Sequence, residues 1–546
     1  MSVMTVAAPS DTSPPLALHE DPDVHRRRWQ VLGVMCLSLV LVVMAVSSLN
    51  VATPSIQQSL GATATELHWM IDAYAIVFAG LLLPAGALGD RFGRKGALLT
   101  GLGLFAGGLA IAGLAGDATQ VIIGRGVMGA GAALVMPATL SLITAVFPPE
   151  ERTKAIAAWA GLAGAGAAIG PILSGALLEQ FWWGSTVLVN LPVVALTAGA
   201  IAWLAPRSRD SHATPLDPAG AVLALVGMLS LLYGIIEGAN RGWTDAVVAG
   251  AFVTAAVLLT LFVVWERRAE HPMLPMDLFA DRRFSVGSAV IMLGFFCAFG
   301  VFFLSTLYMQ YVLDYSTLAT GLATLPWAAA MMITAPRSVG LAERFGIGAV
   351  IAGGFVLVAI AFGLLTLLTV DSPYLLLGVA FALQGLGMGL VFAPATGSIM
   401  SSVPIDKAGV GSAVNDTTRE LGAALGIAVL GTIIGSAYRG SLDVSSDGLS
   451  SADTTAARES IGGAVGVARH LPDGGPALLS QAQEAFVDAF RFTNAISLVI
   501  TLGAAALVLA TLRRPAPAAP ASSDGDELAL EDAEMALATA ADAVTR

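Results

Sequence analysis

A chain of 546 residues that is 56% hydrophobic and 12% charged, with a mean hydropathy of +0.78, is excluded from the water-soluble globular class. The net charge of -12 is concentrated in two appendages: 515–546 carries seven acids against Arg546, and 437–487 carries six acids against three arginines. Both are rich in Ala, Ser, Asp, Gly and Pro and read as disordered or loop-like. Cys36 and Cys297 both fall in apolar segments, which excludes a disulfide framework, and the six histidines are scattered without metal-ligand spacing. No catalytic set is spaced for chemistry. The chain is therefore not expected to be an enzyme, to carry a metal or cofactor, or to bind nucleic acid.

Residues 1–28 form an N-terminal tail without a cleavable signal pattern, so the first apolar span must direct insertion. Apolar runs of about 20 residues then recur, each long enough to cross roughly 30 Å of hydrocarbon. In chain order they predict helices at 29–51, 67–88, 97–115, 119–147, 155–178 and 185–205, then 218–238 and 244–265. Six more follow at 284–311, 318–340, 347–369, 374–402, 408–436 and 490–512. Arginine and lysine collect on one side of this ladder: Arg26–Arg28, Arg91, Arg94, Lys95, Arg152, Lys154, Arg267, Arg268, Arg282, Arg283, Lys407, Arg513 and Arg514. The bias toward basic residues on the cytoplasmic side places both termini there, as in a multi-pass protein of a bacterial inner or plasma membrane.

The fold class expected is an all-α polytopic membrane protein of fourteen transmembrane helices. Residues 29–205 and 284–512 form two six-helix bundles related by a pseudo-two-fold axis, joined by a two-helix linker over 206–283. An outer loop over 437–487 and an acidic disordered tail over 513–546 complete it. The internal echo supports the pairing: Leu88-Gly-Asp90-Arg91-Phe92-Gly93 recurs as Leu341-Ala-Glu343-Arg344-Phe345-Gly346. Two related bundles that rock about a central site are the architecture of an alternating-access transporter.

Four segments carry a resemblance to a known family. The second and third spans are joined by Gly86-Ala-Leu-Gly-Asp90-Arg91-Phe-Gly93-Arg94-Lys95. The fourth span holds Arg125-Gly-Val-Met-Gly129-Ala-Gly131, and the fifth holds Gly161, Gly164, Gly166, Gly170-Pro171 and Gly175. The first ends Ser47-Ser48-Leu49-Asn50-Val51-Ala52-Thr53-Pro54. Over 29–512 the chain resembles the fourteen-span drug:proton antiporter branch of the major facilitator superfamily. The resemblance implies that Asp90 meets the N-terminal end of a helix of the other bundle and helps hold one conformation; Arg91 and Arg94 of the same turn and the echo residue Glu343 are expected to have conformational roles too. It implies that Gly170 and Pro171 belong to the antiporter motif that seals the path between bundles. One departure stands out. Many members place an Asp where this chain has Ala45, so the usual first-helix proton acceptor is missing.

Other acids must then be considered for the proton. Asp72 on the second span and Arg125 on the fourth enter from the same side to matching depth, which predicts that they pair or share a polar cavity, either as a coupling switch or as a permanent structural pair. Asn415-Asp416-Thr-Thr-Arg419-Glu420 sets Asp416 and Glu420 at i and i+4 on one helix face. That cluster reads equally as a proton or cation site and as a network pinning the helix. Asn50, Tyr74, Asn415, Arg419, Phe295 and Phe299 are candidate substrate contacts. Phe295 and Phe299 belong to a Met/Phe-rich stretch that also suits lipid-facing or core positions. Glu237, outside the bundles, reads as an interfacial residue. The function expected is proton-coupled export of hydrophobic, often cationic, small molecules by a monomer in the bilayer, with the proton as coupling ion. The alternatives are a dedicated exporter of one metabolite, antibiotic or lipid, and a non-transporting membrane receptor.

Overall fold

The computed structural model describes residues 18–208, 217–442, 450–471 and 475–512, and every regular element among them is helical. The expected acidic tail over 513–546 lies outside the described residues. The first bundle comprises α1 (Pro22–Leu60), α2 (Ala64–Phe92), α3 (Arg94–Gly113), α4 (Ala118–Val146), α5 (Pro149–Leu178), α6 (Gly184–Leu188) and α7 (Asn190–Leu204). Two helices follow, α8 (Pro218–Arg241) and α9 (Ala246–Glu266). The second bundle comprises α10 (Arg282–Tyr311), α11 (Thr317–Ala323), α12 (Leu325–Phe345), α13 (Ile347–Leu365), α14 (Tyr374–Ser401), α15 (Ala408–Ser441), α16 (Ser451–Glu459), α17 (Ile461–His470) and α18 (Gly475–Thr511).

Thirteen helical stretches among the described residues are long and apolar enough to cross a membrane, and the 30-residue α5 adds an apolar stretch at Ile169–Leu178. Each of the fourteen predicted spans coincides with one helix or with a broken pair. The sixth span is α6 with α7, and the tenth is α11 with α12, where Pro326 in the first turn of α12 offers no N–H to continue the preceding helix. Helices dominate because backbone N–H and C=O groups in hydrocarbon must be satisfied within the segment itself.

The expected loop over 437–487 is largely helical. α15 runs to Ser441, α18 starts at Gly475, and α16 and α17 lie between them. Ala457 of α16 and Ile461 and Ala464 of α17 are buried, and the Tyr438 hydroxyl donates to the Ala457 carbonyl at 3.1 Å. The polar composition of this stretch concealed these few apolar residues.

The internal repeat is visible in how the backbones touch. Gly166 and Gly170 of α5 lie so close to the Val40 and Met44 carbonyls of α1 that a Cβ at either would collide. Gly422 and Gly426 of α15 meet the Met292 and Phe296 carbonyls of α10 in the same way. Gly101 with Gly131 and Gly354 with Gly387 repeat the α3–α4 approach in α13–α14, while Gly129 on Tyr74 and Gly385 on Trp327 repeat α2–α4 in α12–α14. Without a hydrophobic drive between helices in lipid, such close approach is what makes van der Waals packing effective. The linker helices are not loose spacers. α8 packs on α9 and also on α2, where Gly80 accepts Leu229 and Leu225.

Gly170→Val should overpack the α1–α5 contact at a cost of about 1–3 kcal/mol. The thermal midpoint of the detergent-purified protein should fall, while Gly103→Val, with nothing within 4 Å of its Cβ position, should leave it unchanged. Equal midpoints for both variants would contradict the packing described.

Candidate functional site

One end of the molecule gathers the basic residues. The Arg28 Nε donates to Glu151 at 2.7 Å, joining the starts of α1 and α5, and Lys95 Nζ donates to the carbonyls of Ala202 and Ala205 at 2.8 Å. Both bundles meet here around Asp90. α2 ends at Gly93, whose φ of 109° suits glycine and turns the chain directly into α3. This puts Asp90 and Arg94 one turn apart, and Arg94 Nε donates to Asp90 Oδ1 at 3.1 Å. The same carboxylate accepts from the backbone N–H of Gly409 at 2.8 and 3.0 Å and of Val410 at 3.2 Å. Those are unpaired N–H groups of the first turn of α15, the positive end of a helix dipole in the opposite bundle. Arg94 completes the knot by donating to the Ser208 hydroxyl at 3.1 Å and to the Ile405 carbonyl. Gly409 has to be glycine, because a Cβ there would sit 2.7 Å from the carboxylate.

The echo in the second half is incomplete. Gly346 repeats the left-handed turn with φ 88°, and Arg344 lies over Phe345 as Arg91 lies over Phe92. Glu343, in the place of Asp90, is exposed, and Ile347 stands where Arg94 stands. Beside the Asp90 knot lies a cavity of about 180 Å³, lined among others by Arg91, Asp217, His271 and Lys407. It is smaller than the roughly 300 Å³ at which pockets for drug-sized ligands begin.

Away from the basic end, α5 occupies the seam between bundles. Gly161 meets Ala335 and Met332 of α12, Gly175 meets Leu318 of α11, and Pro171 abuts Gly321. Gly166 and Gly170 turn instead toward α1, where the Ser48 hydroxyl reaches the Gly170 carbonyl at 3.4 Å. The glycine-rich helix thus serves both partners.

At the middle of the seam α15 presents its polar run. Asp416 Oδ1 accepts from Arg419 Nη1 and from Asn415 Nδ2, each at 3.3 Å, and Asn415 Oδ1 accepts from the Thr396 hydroxyl of α14 at 3.1 Å. Arg419 lies over the rings of Trp159 from α5 and Phe295 from α10. Phe295 packs on Phe392 at 4.4 Å and stacks with the partly exposed Phe299 at 5.4 Å. Glu420 lies within electrostatic reach of Tyr74 of α2. The predicted Asn415–Glu420 cluster and Tyr74, Phe295 and Phe299 are therefore brought together, and Trp159 joins them unpredicted. Its only sequence signal was a Trp inside a glycine- and alanine-rich span. The side chain of Asn50 lies outside the described residues.

The predicted pairing of Asp72 with Arg125 is not formed. Arg125 is buried in the first bundle, donating its Nε to the Met70 carbonyl at 2.9 Å and covering the Tyr74 ring at 4.5 Å. Arg125 reaches α2 at Met70, close to Asp72 along the helix, but two residues along a helix rotate a side chain by about 200°. Asp72 and Tyr74 therefore face opposite ways. Asp72 shares the face of Trp69, which packs on Tyr233 of α8 at 6.1 Å, and its charged neighbour is Glu237. Glu237, expected at the interface, lies one turn from the end of α8. It is buried and held by Arg241 Nε at 2.6 Å.

Two helical bundles with repeated internal packing, a charged knot at one end of the seam and a polar–aromatic cluster at its middle describe a membrane transporter rather than an enzyme. The Major Facilitator Superfamily profile matches residues 35–427, and the chain belongs to that family. It is 37% identical over 490 residues to the multidrug efflux pump LfrA of Mycolicibacterium smegmatis, covering 89% of this chain and 97% of that one. It is 33% identical to the methyl viologen resistance protein SmvA of Salmonella typhimurium, over 84% and 93% of the two chains. It is 32% identical to the tetracenomycin C resistance and export protein of Streptomyces glaucescens, over 75% and 76%. The fold also matches the human organic anion transporter MFSD10 with a TM-score of 0.54 at 15% identity, covering 88% of this chain and all of that one.

Asp90→Ala strands Arg94 and the α15 N–H groups in a buried site, a loss on the order of 3–5 kcal/mol for breaking such a pair. Spin labels at the exposed Phe92 and Ile405 should report a longer distance across the basic end. Gly409→Ala should lengthen it too, by steric displacement of the same carboxylate. An unchanged distance in both variants would remove Asp90 from any part in closing this end.

Proposed function

We propose that this protein exports hydrophobic, often cationic, small molecules in exchange for protons, as a monomer of a bacterial inner or plasma membrane with its basic end and both termini in the cytoplasm. The observation that carries the reading is the Asp416–Arg419–Glu420 run on α15, an acid–base–acid set within little more than one turn at the seam between the bundles. An inward proton contributes about 2.3 kcal/mol per 100 mV of membrane potential. An acid placed where the two halves meet is positioned to convert that into a preference for one arrangement. The names of the relatives, an efflux pump and a resistance protein among them, support a drug-like substrate.

In this reading Asp416 and Glu420 exchange the proton, because they share the seam with the aromatic contacts. Asp72 is a second titratable position between the first bundle and α8. Asp90 holds the closed cytoplasmic end, and the α5 glycines with Pro171 keep the seam tight enough to prevent leak. A second reading, a dedicated exporter of one antibiotic, is favoured by the tetracenomycin C resistance and export protein, whose name specifies a single compound.

Purified protein in liposomes with an imposed pH gradient tests the coupling. Wild type should concentrate lipophilic cations such as ethidium, and Asp416→Asn should lower that accumulation at least tenfold while leaving downhill flux. Asp72→Asn should impair accumulation less. Undiminished uphill transport in Asp416→Asn would overturn the assignment of the coupling acid, and absence of any gradient-dependent flux in wild type would overturn the function.

A further inference from the structure

Arg419 occupies an unusual position for the basic member of an ion pair. Its guanidinium carbon lies 4.8 Å from the ring centroid of Phe295 and 5.6 Å from that of Trp159, so one cation is flanked by aromatic faces from opposite bundles. The Phe295 face is backed by Phe392, and Phe299 stacks beside it. Two polar atoms on Trp159 and Asp416 have no hydrogen-bond partner among the described residues: Trp159 Nε1, on a side chain 1% exposed, and Asp416 Oδ2, on one equally buried. Leaving a buried polar group unpaired costs about 1–3 kcal/mol, so these two side chains retain one donor and one acceptor to offer. An aromatic face attracts a cation by about 0.5–2 kcal/mol and repels an anion through its quadrupole.

We infer that Arg419 is an internal surrogate ligand: it fills a cation site made by Trp159, Phe295 and Asp416, and a planar, charge-delocalised organic cation binds there by displacing it. The inference rests on the export function proposed above and specifies its substrate class and contacts. The charge facing the rings and the carboxylate is kept, while the tethered Arg419 swings away along the seam and the region gains one positive charge. The guanidinium leaves the rings and its Asp416 oxygen, and the substrate cation takes both. An anion in the same place would face two aromatic rings and a carboxylate, and its attraction to Arg419 would compete with the ion pair already present at 3.3 Å. Because Trp159 belongs to α5 and Phe295 to α10, the bound cation touches both bundles at once.

Ethidium, a planar aromatic cation, is the probe, with binding measured on the full-length protein in nanodiscs and empty discs subtracted. If Arg419 competes for the site, Arg419→Gln should bind ethidium about tenfold more tightly than wild type. Trp159→Ala should bind at least tenfold more weakly, and Trp159→Phe, which keeps a ring face, should lose less. Asp416→Asn with Arg419→Gln removes the pair together and guards against misfolding of the single variant. It should still bind more tightly than Asp416→Asn alone. Weaker ethidium binding on loss of Arg419 in both backgrounds would overturn the inference, as would an anionic dye that depends on Arg419 while ethidium does not. Either result leaves the export reading standing if wild-type liposomes still accumulate ethidium, whereas failure of that accumulation strikes the export reading itself.

Discussion

The contact on which the observed arrangement turns is the Asp90 carboxylate set against the first N–H groups of α15. It is one side chain of one bundle satisfying the backbone of the other, in a buried place beside a small cavity. A helix N-terminus carries about half a positive charge, and a carboxylate beside it gains up to about 2 kcal/mol in buried geometry, besides the hydrogen bonds themselves. Arg94 offsets the remaining charge of Asp90 and ties it to Ser208 and Ile405, so the knot spans the end of α2, the start of α3, the segment after α7 and the approach to α15. Its strength depends on a small backbone at Gly409 and on a tight turn at Gly93. The charges alone would not assemble it.

The two halves share a packing plan and differ in what they place on it. The register that matches Gly166 with Gly422 and Gly170 with Gly426 sets Trp159 opposite Asn415, Ala160 opposite Asp416 and Ala163 opposite Arg419. The same helix positions are therefore aromatic or apolar in one bundle and polar or charged in the other, and Trp159 meets Arg419, which lies one turn beyond its own counterpart Asn415, across the seam. Likewise Tyr74 beneath Arg125 corresponds to Trp327, which packs with Phe302. Backbone approach, governed by glycine, is conserved between the repeats. The side chains that would interact with a solute are not, which gives a symmetric frame an asymmetric interior.

Much of this was legible in the chain. Span length follows from bilayer thickness, and the turn chemistry around Asp90 marks a charged glycine turn wherever it occurs. Azimuth was not legible. Hydropathy places a residue along a span, but Asp72 and Arg125, expected at one depth, miss each other, because only the packing of α2 between α4 and α8 decides which face each neighbour receives. Glu237 illustrates the same limit from the other side, since nothing in the sequence of α8 announces that it leans on α2. Trp159 was hidden for a different reason: in an apolar span a tryptophan reads as a core or lipid-facing residue until a cation is found over its ring. The helices α16 and α17 were missed because their buried apolar residues are few within a polar stretch.

The knot and the central cluster lie on one helix, and this constrains how the halves can move. Seven residues separate Gly409 from Asp416, roughly 10 Å at 1.5 Å per residue, with continuous α-helix between them. Gly422 and Gly426 then hold the same helix hard against the Met292 and Phe296 carbonyls of α10. A displacement of α15 at Arg419 that parts the Trp159 and Phe295 faces therefore cannot be absorbed locally. It carries the first turn of α15 with it and draws the Gly409 and Val410 N–H groups away from Asp90 unless the helix kinks between them, where there is no proline and Gly411-Ser412 is the weakest point. The Arg419 cluster in the seam and the Asp90 contact at the basic end are in this way tied to the position of a single helix.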